Sequence, residues 1–294
     1  MNSRPAAKSA RADLYAMADA YLEALAAKDP SRLPWADHVR FTENNVQLRI
    51  GDGAWNTVSA VRPDYDLKAA DLAQGQVVWF GVIEEHGAPA IMAARLRVAD
   101  GLIHEVETIV CRRLDGGPFP SIDTYVGPRP LMVADVPEEQ RRRRARLISL
   151  ADGYFDTLQL NDGQLFTEFT DDCERIENGL RTTNNGDAFV DYPIAALGCA
   201  EQFRMGQFAY NDEVRDRRFA LIDEEKGLVL AGGFINHSGR QVDVTWTDGV
   251  TRTRSVFHYP HSFVLLELFK IVDGKIAGVE AVFATVPYNM PSVW

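Results

Sequence analysis

Residues 173–182 read CERIENGLRT, and residues 39–48 read VRFTENNVQL. Each stretch carries an arginine, an apolar residue and then a Glu-Asn pair: Arg40 ahead of Glu43 and Asn44, Arg175 ahead of Glu177 and Asn178. The echo extends in both directions. Upstream, ADAYLEAL (18–25) is matched by ADGYFDTL (151–158); downstream, LRVADGLIHEVETIV (96–110) is matched by FKIVDGKIAGVEAVF (269–283). Three matched blocks in one order predict an ancestral unit present twice, since the spacing far exceeds the roughly 20–50 residues of a solenoid repeat. A chain of 294 residues has room for two ordinary domains. The expected division is a first domain over 10–112, a Gly/Pro-rich linker or surface strap over 113–137, and a second domain over 138–294.

Each half opens on helical periodicity. Leu14, Met17, Ala18, Tyr21 and Leu25 recur every three or four residues, as do Leu147, Leu150, Ala151, Tyr154 and Leu158. Pro30 stops the first helix and the Asn-Asp-Gly at 161–163 the second. Strand chemistry follows: VVWFGVIEE (77–85) and residues 90–110 in the first half, GLVLAGGFINH (227–237) and residues 262–283 in the second. Asp-Gly at 100–101 and at 273–274 marks a hairpin in each. Helices before antiparallel strands predict an α+β protein of two tandem cone-shaped units, each a curved antiparallel sheet wrapped on its helices. The second half carries insertions, notably GRQVDVTWTDGVTRTR (239–254), expected to shape the mouth of a site.

Bulk chemistry excludes several classes. A net charge of −11 speaks against a nucleic-acid or anionic-membrane surface, so neither is expected as a partner. The run RRRRAR (141–146) reads as a solvated helix start balanced by Glu138 and Glu139. Cys111, Cys173 and Cys199 form no Cys-x-x-Cys pair, which suits a reducing compartment. With no signal-like or membrane-length apolar run, a cytoplasmic location is expected. No dinucleotide or phosphate-loop glycine motif and no Gly-x-Ser-x-Gly elbow occurs, so no cofactor is expected.

Several residues could carry chemistry. Phe263, Leu265, Glu267, Phe269 and Ile271 share a strand face, and a carboxyl among apolar neighbours has a raised pKa suited to acid/base work. The first half has Ala94 at the aligned position, so the fold does not require that charge. Glu280 on the last strand is a second acid/base candidate, although the presence of its counterpart Glu107 in the first half favours a structural role such as an ion pair with arginine. By alternation they share a face with Ile276 and Val282, and with Ile103 and Ile109. In FHYPHSF (257–263), Pro260 implies a bend that could aim His258, Tyr259 or His261 into a pocket, or leave them as a polar strand end. Arg40, Glu43 and Asn44, with Arg175, Glu177 and Asn178, are substrate-binding candidates, although Asn-Gly also reads as a plain turn. No His-Glu-x-x-His accompanies the histidines and no third ligand can be named, so no metal site is expected.

The helix–turn–strand order with its terminal Asp-Gly-x-Ile-x-x-x-Glu hairpin, together with FTENN and RIENGLRTTNN, resembles the SnoaL-like branch of the NTF2-like superfamily. The resemblance covers both halves and omits the N-terminal tail and the linker. It implies that a tandem chain builds internally the sheet-to-sheet dimer that such domains form, with self-association into a homo-oligomer left open. In size and fold the chain is similar to the sphingomonad diarylpropane lyase type. That resemblance implies a small aromatic substrate and a carbon–carbon lyase reaction releasing formaldehyde from a lignin-derived diaryl diol. Glu267 or His258 would be the acid, Glu280 or His261 the base, and Tyr259 or Arg175 the phenol's partner. The alternatives are an isomerase, hydratase or cyclase of the same superfamily, a non-catalytic module holding an apolar ligand, or a pure scaffold.

Overall fold

The computed structural model describes residues 10–113, 127–186, 193–241, 243–253 and 258–294. Helix α1 (Arg11–Ala26) buries Leu14, Ala18, Tyr21, Leu22 and Leu25 along one face. It leads to β1 (Trp35–Glu43) and the short β2 (Val46–Gln47), then to the long strands β3 (Val58–Asp71), β4 (Gln76–Glu85), β5 (Ala88–Ala99) and β6 (Leu102–Arg112). After α2 (Pro130–Val133) the pattern returns: α3 (Arg144–Leu160), β7 (Phe169–Glu177), β8 (Leu180–Arg181), α4 (Cys199–Arg204), β9 (Glu213–Asp223) and β10 (Leu228–His237). It closes with β11 (Asp243–Thr245), β12 (Thr251–Thr253), β13 (His261–Val272) and β14 (Lys275–Val286).

The two sheets have the same order, β2-β1-β6-β5-β4-β3 and β8-β7-β14-β13-β10-β9. Both are mixed: β1 runs parallel to β6, and β7 parallel to β14. The protein is α+β: two six-stranded mixed sheets of the same strand order, each packed with helices. Asp100-Gly101 and Asp273-Gly274 all have positive φ, the requirement of a tight type I′ hairpin.

The repeated Glu-Asn pair has a backbone cause. Asn44 and Asn178 both sit at left-handed φ, +48° and +46°, where a short amide side chain is tolerated. Each amide then acts as an extra rung of its ladder. Asn178 Nδ2 donates to the Phe283 carbonyl (3.1 Å) and Asn178 Oδ1 accepts from the Phe283 N–H (2.9 Å); Asn44 does the same to Val110 at 3.1 and 2.8 Å. Asn178→Ala leaves a buried N–H and C=O unpaired, and is expected to cost about 2 kcal/mol or more in urea unfolding; a loss under about 0.5 kcal/mol would refute this account of the pair.

The outer faces of the two sheets pack on each other. Tyr65, Leu67, Val78, Phe80 and Ile91 of the first repeat join Leu228, Leu230, Phe234, Leu266 and Leu268 of the second in one buried cluster. Polar contacts across this interface are reciprocal. Asp71, ending β3, accepts from the Ile222 N–H and from Arg144; Asp223, ending β9, accepts from the Ala70 N–H and from Arg11. Glu107 on β6 is bonded by Arg218 of β9, and Glu280 on β14 by Tyr65 of β3. The basic run is thus tied into the fold: Arg144 to Asp71 and Arg142 to Asp273, rather than balanced by Glu138 and Glu139.

The C-terminus crosses back to the first repeat. Trp294 Nε1 donates to Thr42 Oγ1 (3.1 Å), and the Arg40, Arg95 and Arg218 guanidinium carbons lie 4.6–5.5 Å from its ring centroid. Among the described residues, no helix is long and apolar enough to cross a membrane.

Candidate functional site

Inside each cone the strand registers fix which residues correspond. Ala94 and Glu43 both register with Thr108, whereas Glu267 and Glu177 both register with Ala281. Ala94 is therefore the structural counterpart of Glu267. One step along, Phe41 corresponds to Arg175, and across the sheet Trp79, opposite Ala94, corresponds to Ala231, opposite Glu267. The first cone holds a phenyl ring, an indole and a methyl where the second holds a guanidinium, a methyl and a carboxyl. Phe41, Trp79 and Ala94 are all buried in the core under α1 with Tyr21 and Trp55. The second cone encloses a space, and Arg175 and Glu267 face into it.

That space is lined by Tyr154 and Leu158 of α3, Arg175 and Glu177 of β7, and Phe208, Tyr210 and Asn211 from the segment after α4. The strands add Ile235, His237, Phe263, Leu265, Glu267, Ala281 and Phe283. It is a cavity of about 60 Å³, which is room for several waters or a small organic group. The inserted hairpin β11–β12 contributes no lining residue; its Val244 and Trp246 pack into the core of the second repeat.

Glu267 is 4% exposed. Burial, reinforced by the nearby negative charge of Glu177, pushes its carboxyl up to about 8, with Arg175 and the Tyr154 hydroxyl opposing. At neutral pH it is a carboxylic acid. Arg175, also buried, spans the site: Nε lies 3.3 Å from the Glu177 carboxylate and 3.2 Å from Thr182 Oγ1, while Nη1 reaches the Tyr154 hydroxyl at 3.4 Å and Nη2 the Gln202 carbonyl oxygen at 2.5 Å. Its guanidinium carbon also lies 5.2 Å from the Phe208 ring centroid. His237 is stacked on His261, centroids 4.6 Å apart, with Tyr210 on its other side at 5.9 Å. Burial and the neighbouring His261 pull its pKa down to about 3, so it is a neutral imidazole.

The structure sorts the sequence-derived candidates. Glu267, Arg175 and Glu177 come together in the cavity. His261 lies behind His237, buried, with Nδ1 2.9 Å from the Tyr259 carbonyl oxygen, and does not line the space. His258 and Tyr259 are exposed at the strand end, edge-on to each other. Glu280 points to the opposite face of the sheet, into the domain interface beside Tyr65 and Arg129. A bulge at Ala277 breaks the alternation, so Ile276 turns inward while Glu280 and Val282 face out; His104 does the same beside Ile103. Arg40 has no kinship with Arg175: it lies outside the first cone, over Trp294. Glu43 is held by the Ala54 N–H (2.7 Å) and Arg112 (3.1 Å), and Asn44 and Asn178 by backbone.

Sequence reasoning passed over His237, Tyr154 and the Phe208–Asn211 lining. Tyr154 had a signal, as a core-facing helical aromatic repeated at Tyr21. His237 had one only in its strand-end position, and the Phe208 segment follows no period.

The family described as a domain of unknown function (DUF8021) matches residues 7–110 and 140–283, the bodies of the two repeats. The chain belongs to this family. No curated protein matches it. Among solved structures, this DUF8021 chain is similar to an NTF2-like protein from Cytophaga hutchinsonii, at 15% identity over 48% of this chain and 98% of that one, TM-score 0.28. A Kribbella flavida protein proposed to be a ketosteroid isomerase matches at 18% identity, over 50% and 83%, TM-score 0.28. A de novo designed protein with a curved β-sheet matches at 16%, over 35% and 88%, TM-score 0.28.

A small molecule that enters this cavity is expected to raise the melting temperature of the DUF8021 chain, since a ligand of the folded state stabilises it by RT ln(1 + [L]/Kd), about 2.7 kcal/mol at a hundredfold excess over Kd. Ala231→Trp, which sets an indole opposite Glu267 as Trp79 stands opposite Ala94, is expected to abolish that shift in differential scanning fluorimetry. A shift that survives the substitution would put the ligand elsewhere.

Proposed function

We propose that the second repeat is the working half of a cofactor-independent acid/base enzyme acting on a small, mainly apolar molecule. The observation that carries this reading is Glu267, an inward carboxyl held protonated at neutral pH where the first repeat has Ala94. A protonated carboxyl can deliver a proton to a leaving hydroxyl or to an enolate oxygen, a contribution of about 10²–10⁴-fold. Arg175 and Glu177 form a charged pair beside it that can orient a polar group of the substrate. The dimensions favour entry of the reacting end alone, with any larger remainder outside.

The sharper form of this proposal is a carbon–carbon lyase acting on a phenolic diaryl diol. Glu267 protonates the benzylic hydroxyl, which leaves as water while the phenol loses its proton, giving a quinone methide. A base removes the terminal hydroxyl proton, the carbon–carbon bond breaks, formaldehyde departs, and the electron pair restores the phenolate of a stilbene. Glu177, which lines the cavity, takes the base role in this reading, because Glu280 lies on the other face of the sheet and His261 lies behind His237. The test is incubation with such a diol, following formaldehyde and ultraviolet-absorbing stilbene. Product from wild type, undiminished by a chelator and lost in Glu267→Gln, is expected. Product formed equally by Glu267→Gln would overturn the assignment of the acid, and binding without turnover of any diol would favour a ligand-holding module.

A further inference from the structure

Outside the cavity, the second repeat brings two thiols together. Cys173 on β7 and Cys199, the first residue of α4, are both buried, with their sulfurs 2.6 Å apart. The Cys199 thiol also donates to the Cys173 carbonyl oxygen at 3.2 Å. A sulfur–sulfur contact of this length leaves only a short closure to a covalent bond of about 2.05 Å. A second observation gives a reagent access. Cys199 lines a polar cleft of about 520 Å³ whose other walls include Asp171, Glu201 and Arg204. Cys111, the third cysteine, is buried in the interface between the sheets and lies outside this cleft.

We propose that Cys173 and Cys199 form a reversible disulfide that fastens α4 to β7. With a peroxide as oxidant, the Cys199 thiolate attacks one peroxide oxygen, the O–O bond breaks, and a sulfenic acid and water result. The Cys173 sulfur then attacks the sulfenic sulfur, its proton leaves with the departing oxygen as a second water, and the S–S bond closes. Two thiols and one hydrogen peroxide give one disulfide and two waters. A dithiol reductant reverses the step by exchange.

The bond has a mechanical consequence. One turn beyond Cys199, the Gln202 amide accepts from Arg175 and donates to the carbonyls of Thr182 (2.6 Å) and Ile194 (2.9 Å). Phe203 stacks on Phe169, centroids 5.7 Å apart, and meets Tyr154 edge-on at 5.1 Å. Helix α4 is six residues long and leans on the sheet through these side chains, too short to stand by itself. A bridge at its first residue pins the Gln202 amide against Arg175. The inference concerns thiol chemistry and stands whether or not the cavity turns over a substrate.

The experiment treats the full-length protein with a small excess of hydrogen peroxide, blocks remaining thiols with N-ethylmaleimide in denaturant, and counts adducts by mass spectrometry. The expected result is a fall from three reactive thiols to one, a Cys173–Cys199 linked peptide in the digest, and a melting temperature raised by about 5 °C or more, each reversed by dithiothreitol. Cys173→Ser and Cys199→Ser should each lose the linked peptide and the rise. Three thiols surviving the oxidant, a link to Cys111 or between chains, or over-oxidation of Cys199 without a link would overturn the proposal. Because wild type alone gives the deciding count, failure of either variant to fold does not blunt the test.

Discussion

Glu267→Gln is expected to make the protein more stable above neutral pH while removing the proposed acid/base chemistry. The unfolded carboxyl titrates at an ordinary value and the folded one near 8. Between those values the native state holds a proton that the unfolded state has lost, so stability falls as pH rises, by on the order of 1 kcal/mol per pH unit. The contribution is fully present below the unfolded pKa and is gone above the folded one. Glutamine mimics the neutral acid and does not titrate, so its variant should lose this slope and be several kcal/mol more stable than wild type at pH 9, measured by urea unfolding across pH. Turnover of any substrate should drop about 10²–10⁴-fold. A variant as pH-dependent as wild type would mean the carboxyl is already ionised at neutral pH, and the proposed acid would fail with it.

The second large effect concerns the domain interface. Glu107 and Glu280 occupy matching positions on β6 and β14, yet their surroundings drive them in opposite directions. Burial pushes Glu280 up to about 8. Burial works the same way on Glu107, but the guanidinium groups of Arg95, at 2.9 Å, and Arg218 outweigh it and hold the carboxyl below its usual range. Arg95→Met removes one partner and leaves a buried carboxylate under-compensated, an expected loss of about 3–5 kcal/mol at pH 7. The loss should shrink as pH falls, because the wild-type pair contributes above the unfolded pKa of Glu107 and is itself lost as pH falls through the folded one. A pH-independent loss, or one below about 1 kcal/mol, would make Arg95 a packing residue and no more. The double variant with Glu107→Gln should recover part of the stability.

The duplication was legible because it is written in residues that the backbone demands. Asn44 and Asn178 occupy left-handed positions where their amides complete the ladder, and the two Asp-Gly pairs sit in turns that need two positive φ values. The helices were legible from their period, and the inward aim of Glu267 from strand alternation. What failed was local in appearance but long-range in cause. Arg40 echoes Arg175 in a list of letters, yet the parallel register puts Phe41 in its place. Alternation along β14 gives a face for Glu280 but is broken by a one-residue bulge, and it does not say which face is the cavity. His237 becomes conspicuous only when β10 lies beside β13 and sets it opposite His261. The reciprocal bonds of Asp71 and Asp223 belong to two repeats packed back to back, and no window of sequence contains both partners.

The most direct measurement is the titration of Glu267 itself, followed by the side-chain carboxyl carbon shift in ¹³C-glutamate-labelled protein and assigned by its disappearance in Glu267→Gln. A midpoint near 8, persisting when Glu280 is replaced by glutamine, is the predicted result. A midpoint in the ordinary carboxylate range, about 4–5, would mean that water reaches the group freely and that the second cone holds no acid at neutral pH.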